Sequence, residues 1–452
     1  MRSLLHKYWA VVVAVVCVAV MAAGAALWVH RDSRRPVPGP APRELADLSA
    51  AELSQFLPNA ADVPEGWGAQ QDAADPGISE ILGGASRPSC SERPDQVAAR
   101  AAVVSSRAHG PKVVDKSWYP EVSMALIRGN AGADLQERTR RWVADCDNIT
   151  MHYRGTGLCQ AALHPVLLPN LVVGTVTATR IKIVSTNGHC LRGGAEPDSS
   201  RTVGVAVIGG LTLVAQNDKL SDLGEPLMKL TLQRLQNYPA LPAPSPDALT
   251  AGGPTFMALA PSLAQTSGNG RWFVDQWTSG ADADTTAPPM ATEPTKCEPF
   301  PFPGGYGLPI DQSLFSVIGS IHVLRYGTDP KNADLQGDTQ AQYFREHPGS
   351  DVLTSVRSWA KRCQQYQIVS GQPCGSHPVV QVDELPAGKY RTDDAIGLRL
   401  DTANWCGDGT RRFAVVTLLR VRGVLLVTRS SESNSATDWL LSTAIDNLRK
   451  VR

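Results

Sequence analysis

Two stretches of the chain are rich in apolar, β-branched positions and are broken once near the middle. Val203–Val214 is interrupted by Gly209-Gly210, and Phe413–Val427 by Arg422-Gly423. Apolar runs on either side of a two-residue break predict β-hairpins. Each is followed by a segment whose apolar residues recur at helical spacing, Glu225–Tyr238 and Ala436–Val451. These predict closing amphipathic helices. Upstream, Asp134–Cys146 and Val352–Cys363 have helical composition, and Arg180–Ser185 and Gly397–Asp401 read as short strands. The same order of elements occurs twice. It predicts an α+β fold of two related domains, each an antiparallel sheet with helices packed on a face.

The beginning of the chain follows a different pattern. Tyr8 to Val29 carries no charged residue, with Trp9 and Trp28 at its ends. As a helix it would span roughly 33 Å, enough for a bilayer core. This predicts an N-terminal transmembrane anchor over 8–29 after a short cytoplasmic tail, 1–7. A cleaved signal peptide is the rival reading, with Ala22–Ala26 offering a small-residue site. A Pro-rich spacer follows over 30–49, and a second Pro/Ala-rich stretch over 239–249 reads as a linker. The two domains are then 50–238 and 250–452.

Cysteines sharpen the repeat. Cys90, Cys146, Cys159 and Cys190 are separated by 56, 13 and 31 residues; Cys297, Cys363, Cys374 and Cys406 by 66, 11 and 32. Two similar quartets read as a disulfide framework, which places the body of the chain in an oxidising compartment. Sequence alone leaves three pairings open in each quartet. Other positions keep register with them. Trp142-x-x-x-Cys146 recurs as Trp359-x-x-x-Cys363, His164-Pro165-Val166 as His377-Pro378-Val379, and Thr186 and Thr402 each lie four residues before the last cysteine.

These features resemble the extracytoplasmic sensor domain of the mycobacterial PknH-type serine/threonine kinases, here as two tandem copies. The resemblance implies a ligand-binding α+β domain. It also implies pairing of first with second and third with fourth cysteines: Cys90–Cys146, Cys159–Cys190, Cys297–Cys363 and Cys374–Cys406. No kinase domain accompanies the copies.

Composition narrows the function classes. Across 452 residues Lys+Arg and Asp+Glu are both 43, so no general basic face marks a nucleic-acid binder. No Cys-x-x-Cys and no His-Glu-x-x-His occurs, and the quartets are too widely spaced for a structural zinc site. No Gly-x-Ser-x-Gly elbow or P-loop is present. No catalytic residue, metal or cofactor is therefore assigned. His164 and His377 read as turn residues, and His189, opposite Trp405 in the repeat, as packing beside a disulfide. Trp272–Trp277 and Phe300–Tyr306 are candidate surfaces for sugars or peptides, although core packing and an ordered Pro/Gly loop are the favoured explanations. Asp282 and Asp284 read as a solvated loop. The resulting expectation is a single-pass envelope protein whose extracytoplasmic body binds or senses an unknown small ligand or envelope protein. A hydrolase with a motif-free triad and an assembly factor are the alternatives.

Overall fold

The computed structural model describes residues 43–73, 88–90, 93, 101–111, 120–129, 134–154, 158–190, 194–196, 198–218, 221–240, 246–266, 271–278, 291–298, 313–327, 335–370, 377–386, 390, 392–403, 411–430 and 435–451. Leu45–Arg452 forms one compact unit. Its first half carries the short helix α1 (Ala50–Ser54) and strands β1 (Gly68–Asp72), β2 (Ala102–His109) and β3 (Glu121–Arg128). Helix α2 (Leu135–Asp145) follows, then β4 (Ile149–Arg154), β5 (Leu158–Val173), β6 (Val176–Cys190), β7 (Gly194–Glu196), β8 (Ser199–Ile208), β9 (Leu211–Asp218) and α3 (Gly224–Gln236). The second half repeats the scheme with α4 (Gly253–Met257), β10 (Arg271–Trp277), β11 (Ala291–Glu293), β12 (Phe315–Tyr326), β13 (Leu335–Glu346) and α5 (Val352–Arg362). It ends with β14 (Gln365–Ser370), β15 (Val379–Leu385), β16 (Asp394–Ala403), β17 (Arg411–Val421), β18 (Val424–Ser430) and α6 (Ser435–Lys450).

The expectation of one sheet per domain is corrected here. All eighteen described strands belong to a single antiparallel sheet. Its path is β4-β5-β6-β8-β9-β3-β2-β1, then β10-β12-β13-β18-β17-β16-β15-β14-β11, with β7 also on β6. The halves meet where β1 pairs with β10. The anchor and its membrane assignment are corrected as well. Among the described residues no helix is long and apolar enough to cross a membrane, and the stretch expected to do so, 8–29, lies outside them.

The β1–β10 register has an internal symmetry. Trp67-x-x-x-Gln71 corresponds to Trp272-x-x-x-Gln276. Under that correspondence the pairs Ala69–Gln276 and Gln71–Val274 exchange, and Gln70–Asp275 lies on the pseudo-two-fold axis. The flanking bonds exchange too: the Thr278 amide donates to the Trp67 carbonyl at 3.1 Å, and the Ala73 amide to that of Trp272 at 3.4 Å. This is the geometry of an isologous dimer contact within one chain.

The symmetry extends to the segments before each seam strand. Asn59 and Ser262 each cap a short 3-10 turn, with Asp62 and Gln265 reaching back to the cap backbone. The Gln71 amide donates to the Pro58 carbonyl at 3.1 Å, and the Gln276 amide to that of Pro261 at 2.7 Å. The correspondence of the two leading segments lies in capping and turn chemistry, not in apolar periodicity.

One face of the sheet is covered continuously. Leu53 and Phe56, Phe256 and Met257, Leu232 from α3 and Leu441 from α6 all belong to one buried cluster that crosses the seam. On the other face, α2 and α5 cover only the flanks, each over its own smaller core. Here the Trp-x-x-x-Cys repeat acts as a double latch. Cys146 is disulfide-bonded to Cys90, whose carbonyl accepts from the Trp142 indole at 3.3 Å. Cys363 is bonded to Cys297, whose carbonyl accepts from the Trp359 indole at 2.9 Å. Cys159 and Cys190 face each other in the β5–β6 register, while Cys374 and Cys406 lie outside the described residues. The hairpin turns at Gly209-Gly210 and Arg422-Gly423 have positive φ at both positions, as a two-residue hairpin needs.

Because one core runs beneath the seam, both halves should unfold together. Calorimetry of the wild type is expected to show one transition. Ala69→Pro, which removes a ladder donor from a strand paired on both sides, should lower it by several degrees or split it. Two independent wild-type transitions would contradict a shared core.

Candidate functional site

Between the flanks covered by α2 and α5, no described helix covers the central strands on the second face. Side chains alternate, so the residues paired with one another across consecutive strands share a face. One such row runs Gln216, Ser123, Arg107, Gln70, Asp275, His322, Gln340, Arg429 through β9, β3, β2, β1, β10, β12, β13 and β18. Every member is polar. The row is centred on the pseudo-axis, with corresponding strands contributing the two residues at each step outward. On β10 the opposite parity, Trp272, Val274 and Gln276, is buried on the other face. The alternation within Trp272–Trp277 therefore serves the core with one set of side chains and the polar floor with the other.

The best-built part of this floor straddles the seam. Gly68 stands between His109 and Trp277, and a Cβ there would lie 2.5 Å from His109 Cε1 and 2.8 Å from Trp277 Cδ2. The absent side chain lets the two rings meet edge-to-face across β1, with centroids 4.3 Å apart. Asp275 is held by both: His109 Nε2 lies 3.4 Å from Oδ1, and the Trp277 indole N–H donates to Oδ2 at 3.3 Å. With one partner on each oxygen among the described residues, this carboxylate retains acceptor capacity. Its side chain is only 15% exposed. On the β12 side, His322 contacts Asp338 at 2.8 Å and meets the Phe273 ring edge-on. On the β2 side, Arg107 pairs with Glu121 at 3.2 Å, and the Ser123 hydroxyl donates to Glu121 at 2.7 Å. Arg271 binds Asp72 through two nitrogens, at 3.2 and 2.8 Å.

In and beside this row, buried Gln216 Oε1 and Ser320 Oγ have no hydrogen-bond partner among the described residues. Ser320, opposite Trp277 in the β10–β12 register, is 6% exposed. Buried polar atoms are nearly always satisfied, by protein or by bound water or ligand.

The residues singled out by sequence do not converge here, Trp272–Trp277 excepted. His164 lies on β5, 3.7 Å from Asp147. His377 is exposed before β15, and its carbonyl accepts from Gln367. His189 is exposed on β6. Thr186 is half-buried on β6 and Thr402 is buried on β16. Phe300–Tyr306, Asp282, Asp284 and Trp405 lie outside the described residues. Among the described residues no group of three or more His, Cys, Asp or Glu could hold a metal ion.

A denser charge cluster occurs at the start of α5, and its chemistry is structural. Arg420 chelates Glu346 at 2.8 and 2.9 Å and reaches Asp351 at 2.8 Å. Asp351 is the N-cap, accepting from the Thr354 amide, and Glu346 accepts from the Val352 amide. Arg357 in turn holds Asp394 at 2.5 and 3.1 Å. Arg420, Glu346 and Asp351 hold the helix N-terminus, and the Arg357–Asp394 pair ties the body of α5 to β16. The first half lacks the device: two residues before its hairpin turn stands Val207, where the second half has Arg420.

No family model and no curated protein matches the chain. Two solved structures are similar in part. The extracellular domain of PknH from Mycobacterium tuberculosis is 9% identical, with a TM-score of 0.29, over 42% of this chain and 97% of that one. An uncharacterised Mycobacterium smegmatis protein, the Rv0999 ortholog, is 12% identical, with a TM-score of 0.22, over 37% of this chain and 83% of that one.

The hydrogen bond from Arg420 is the main cause that holds the Asp351 carboxyl down to about 2, below its ordinary 3.8. A depressed carboxylate stabilises the fold above its unfolded-state value and loses that contribution as pH falls through the folded value. Between about pH 4 and pH 2, wild-type Tm should therefore fall more steeply than that of Arg420→Ala. The pair is near the surface, so added salt should narrow the difference. Parallel acid slopes would remove the cluster's role.

Proposed function

We propose that this chain is an extracytoplasmic binding module without catalytic activity, and that its binding surface is the polar floor across the β1–β10 seam. The observation that carries the reading is the His109–Trp277–Asp275 arrangement around Gly68. It joins an aromatic surface to a carboxylate with spare acceptor capacity, built from three strands of both halves. Ser320 Oγ, buried nearby and without a partner among the described residues, supplies a further polar group on that face. The extracytoplasmic placement rests on Cys90–Cys146 and Cys297–Cys363, bonds that persist in oxidising compartments. Binding is favoured over catalysis by how the side chains are used. His109 and His322 turn their rings to carboxylates, and the Ser123 hydroxyl is directed to Glu121. A nucleophile–base pair would need a hydroxyl or thiol against the imidazole.

The test is a thermal-shift panel on the purified chain with free amino acids, dipeptides, neutral saccharides, sugar acids, nucleosides and glycerophosphate. At least one class should raise Tm at millimolar concentration, and Trp277→Ala should abolish that rise. A shift that survives Trp277→Ala and Asp275→Asn would place the binding surface elsewhere.

A further inference from the structure

We infer that the ligand of this surface is a neutral saccharide, laid across the seam with one ring against Trp277; this rests on the seam floor being the binding surface. Three observations converge on that chemistry.

The first is charge. Each carboxylate and guanidinium described around the seam already has a side-chain partner: Asp275 has His109 and Trp277, Arg107 has Glu121, Arg271 has Asp72, and Asp338 has His322. An anionic or cationic ligand would have to compete with these pairs. A neutral ligand rich in hydroxyls need not, because each hydroxyl both donates and accepts and can add to a paired carboxylate without displacing its partner.

The second is the kind of groups present. Planar polar side chains, Asp275, Gln70, Gln340, His322 and Arg107, line one row beside half-buried Trp277 and Phe273. A sugar presents equatorial hydroxyls at its edge and a C–H face above and below. The edge suits the carboxylate and amide row, and the C–H face suits the indole. The three strand spacings from Arg107 to His322 span about 14 Å, long enough for more than one sugar ring.

The third is the broken symmetry on the axis. Were the halves identical, the residue on the axis would face its own copy and every other would be matched by its copy at the same distance across the axis. Instead Gln70 faces Asp275, and the next step outward places Arg107 opposite His322. Trp277 corresponds to Asp72, and His109 to Leu324. The two ends of the floor therefore differ, with His109, Gly68 and Trp277 at one and Leu324, Phe273 and Asp72 at the other. That polarity suits a ligand whose two ends differ, as the reducing and non-reducing ends of a saccharide do. It also makes the site a property of both halves together, since Gly68 and His109 come from one and Asp275 and Trp277 from the other.

The experiment is calorimetric titration of the full chain with maltotriose and chitotriose as neutral probes. Tri-galacturonate and the chitosan trimer serve as the acidic and basic ones. A neutral trisaccharide should bind, with affinity at least tenfold above either charged trimer. Trp277→Ala should weaken it at least tenfold, and the near-isosteric Asp275→Asn should weaken it several-fold at unchanged Tm. Val172→Ser, on exposed β5 away from the seam, should leave it unchanged. Neither neutral trimer binding, while another class from the thermal panel does so in a Trp277-dependent way, overturns the saccharide and leaves the binding surface standing. Neutral binding that is indifferent to Trp277→Ala and Asp275→Asn overturns both, as does a panel in which nothing binds.

Discussion

A five-residue strand pairing governs this molecule. Gly68–Asp72 against Arg271–Trp277 joins what would otherwise be two sheets, and the joint is sealed from beneath by a core drawn from both halves. Neither strand would be a good edge alone. β1 is short and reads Gly-Ala-Gln-Gln-Asp, with few residues favoured in strands. Flanked by β2 on one side and β10 on the other, it has its backbone groups satisfied and its Gln71 amide tied to the preceding turn. Stability there comes from context, and the binding floor inherits its geometry from the same contact.

This explains what could and could not be read in advance. The Trp-x-x-x-Cys helices were legible because the motif is local: one helical turn places the indole and the thiol on one face, and both act on the same distant cysteine. The hairpins were legible from Gly209-Gly210 and Arg422-Gly423. The seam was not, because β1 lacks apolar alternation and its pairing partner lies some two hundred residues on. Two domains with separate sheets were the natural reading of a duplicated sequence. Duplication reports the unit of inheritance, and the edge strands decide whether the units stay apart. The polar row was hidden for a related reason. Its members are scattered from Gln70 to Arg429 and become neighbours only through seven successive registers.

The halves have also diverged in how they hold the same shape. In the first, Arg140 on α2 reaches the Thr179 hydroxyl at 2.8 Å. In the second, Arg357 at the matching position reaches Asp394, and Arg420 extends the contact to Glu346 and Asp351. A helix can be tied to its sheet by either scheme, so the charge pattern was free to drift while the latch through Trp142 and Trp359 kept its form. Conserved geometry here belongs to the indole–carbonyl–disulfide unit, and variable electrostatics surround it.

Two separate sheets would own four lateral boundaries, each an invitation for another chain to add itself. Joining β1 to β10 leaves two. At one, β5 runs on beyond β4 with Pro165 and Pro169 in its length, and proline offers no amide to an incoming strand. At the other, β11 is only three residues long and is followed at once by Pro294. Fusion thus removes two edges outright, and the prolines beside the outermost described strands, β4 and β11, withhold amides that an added strand would pair with.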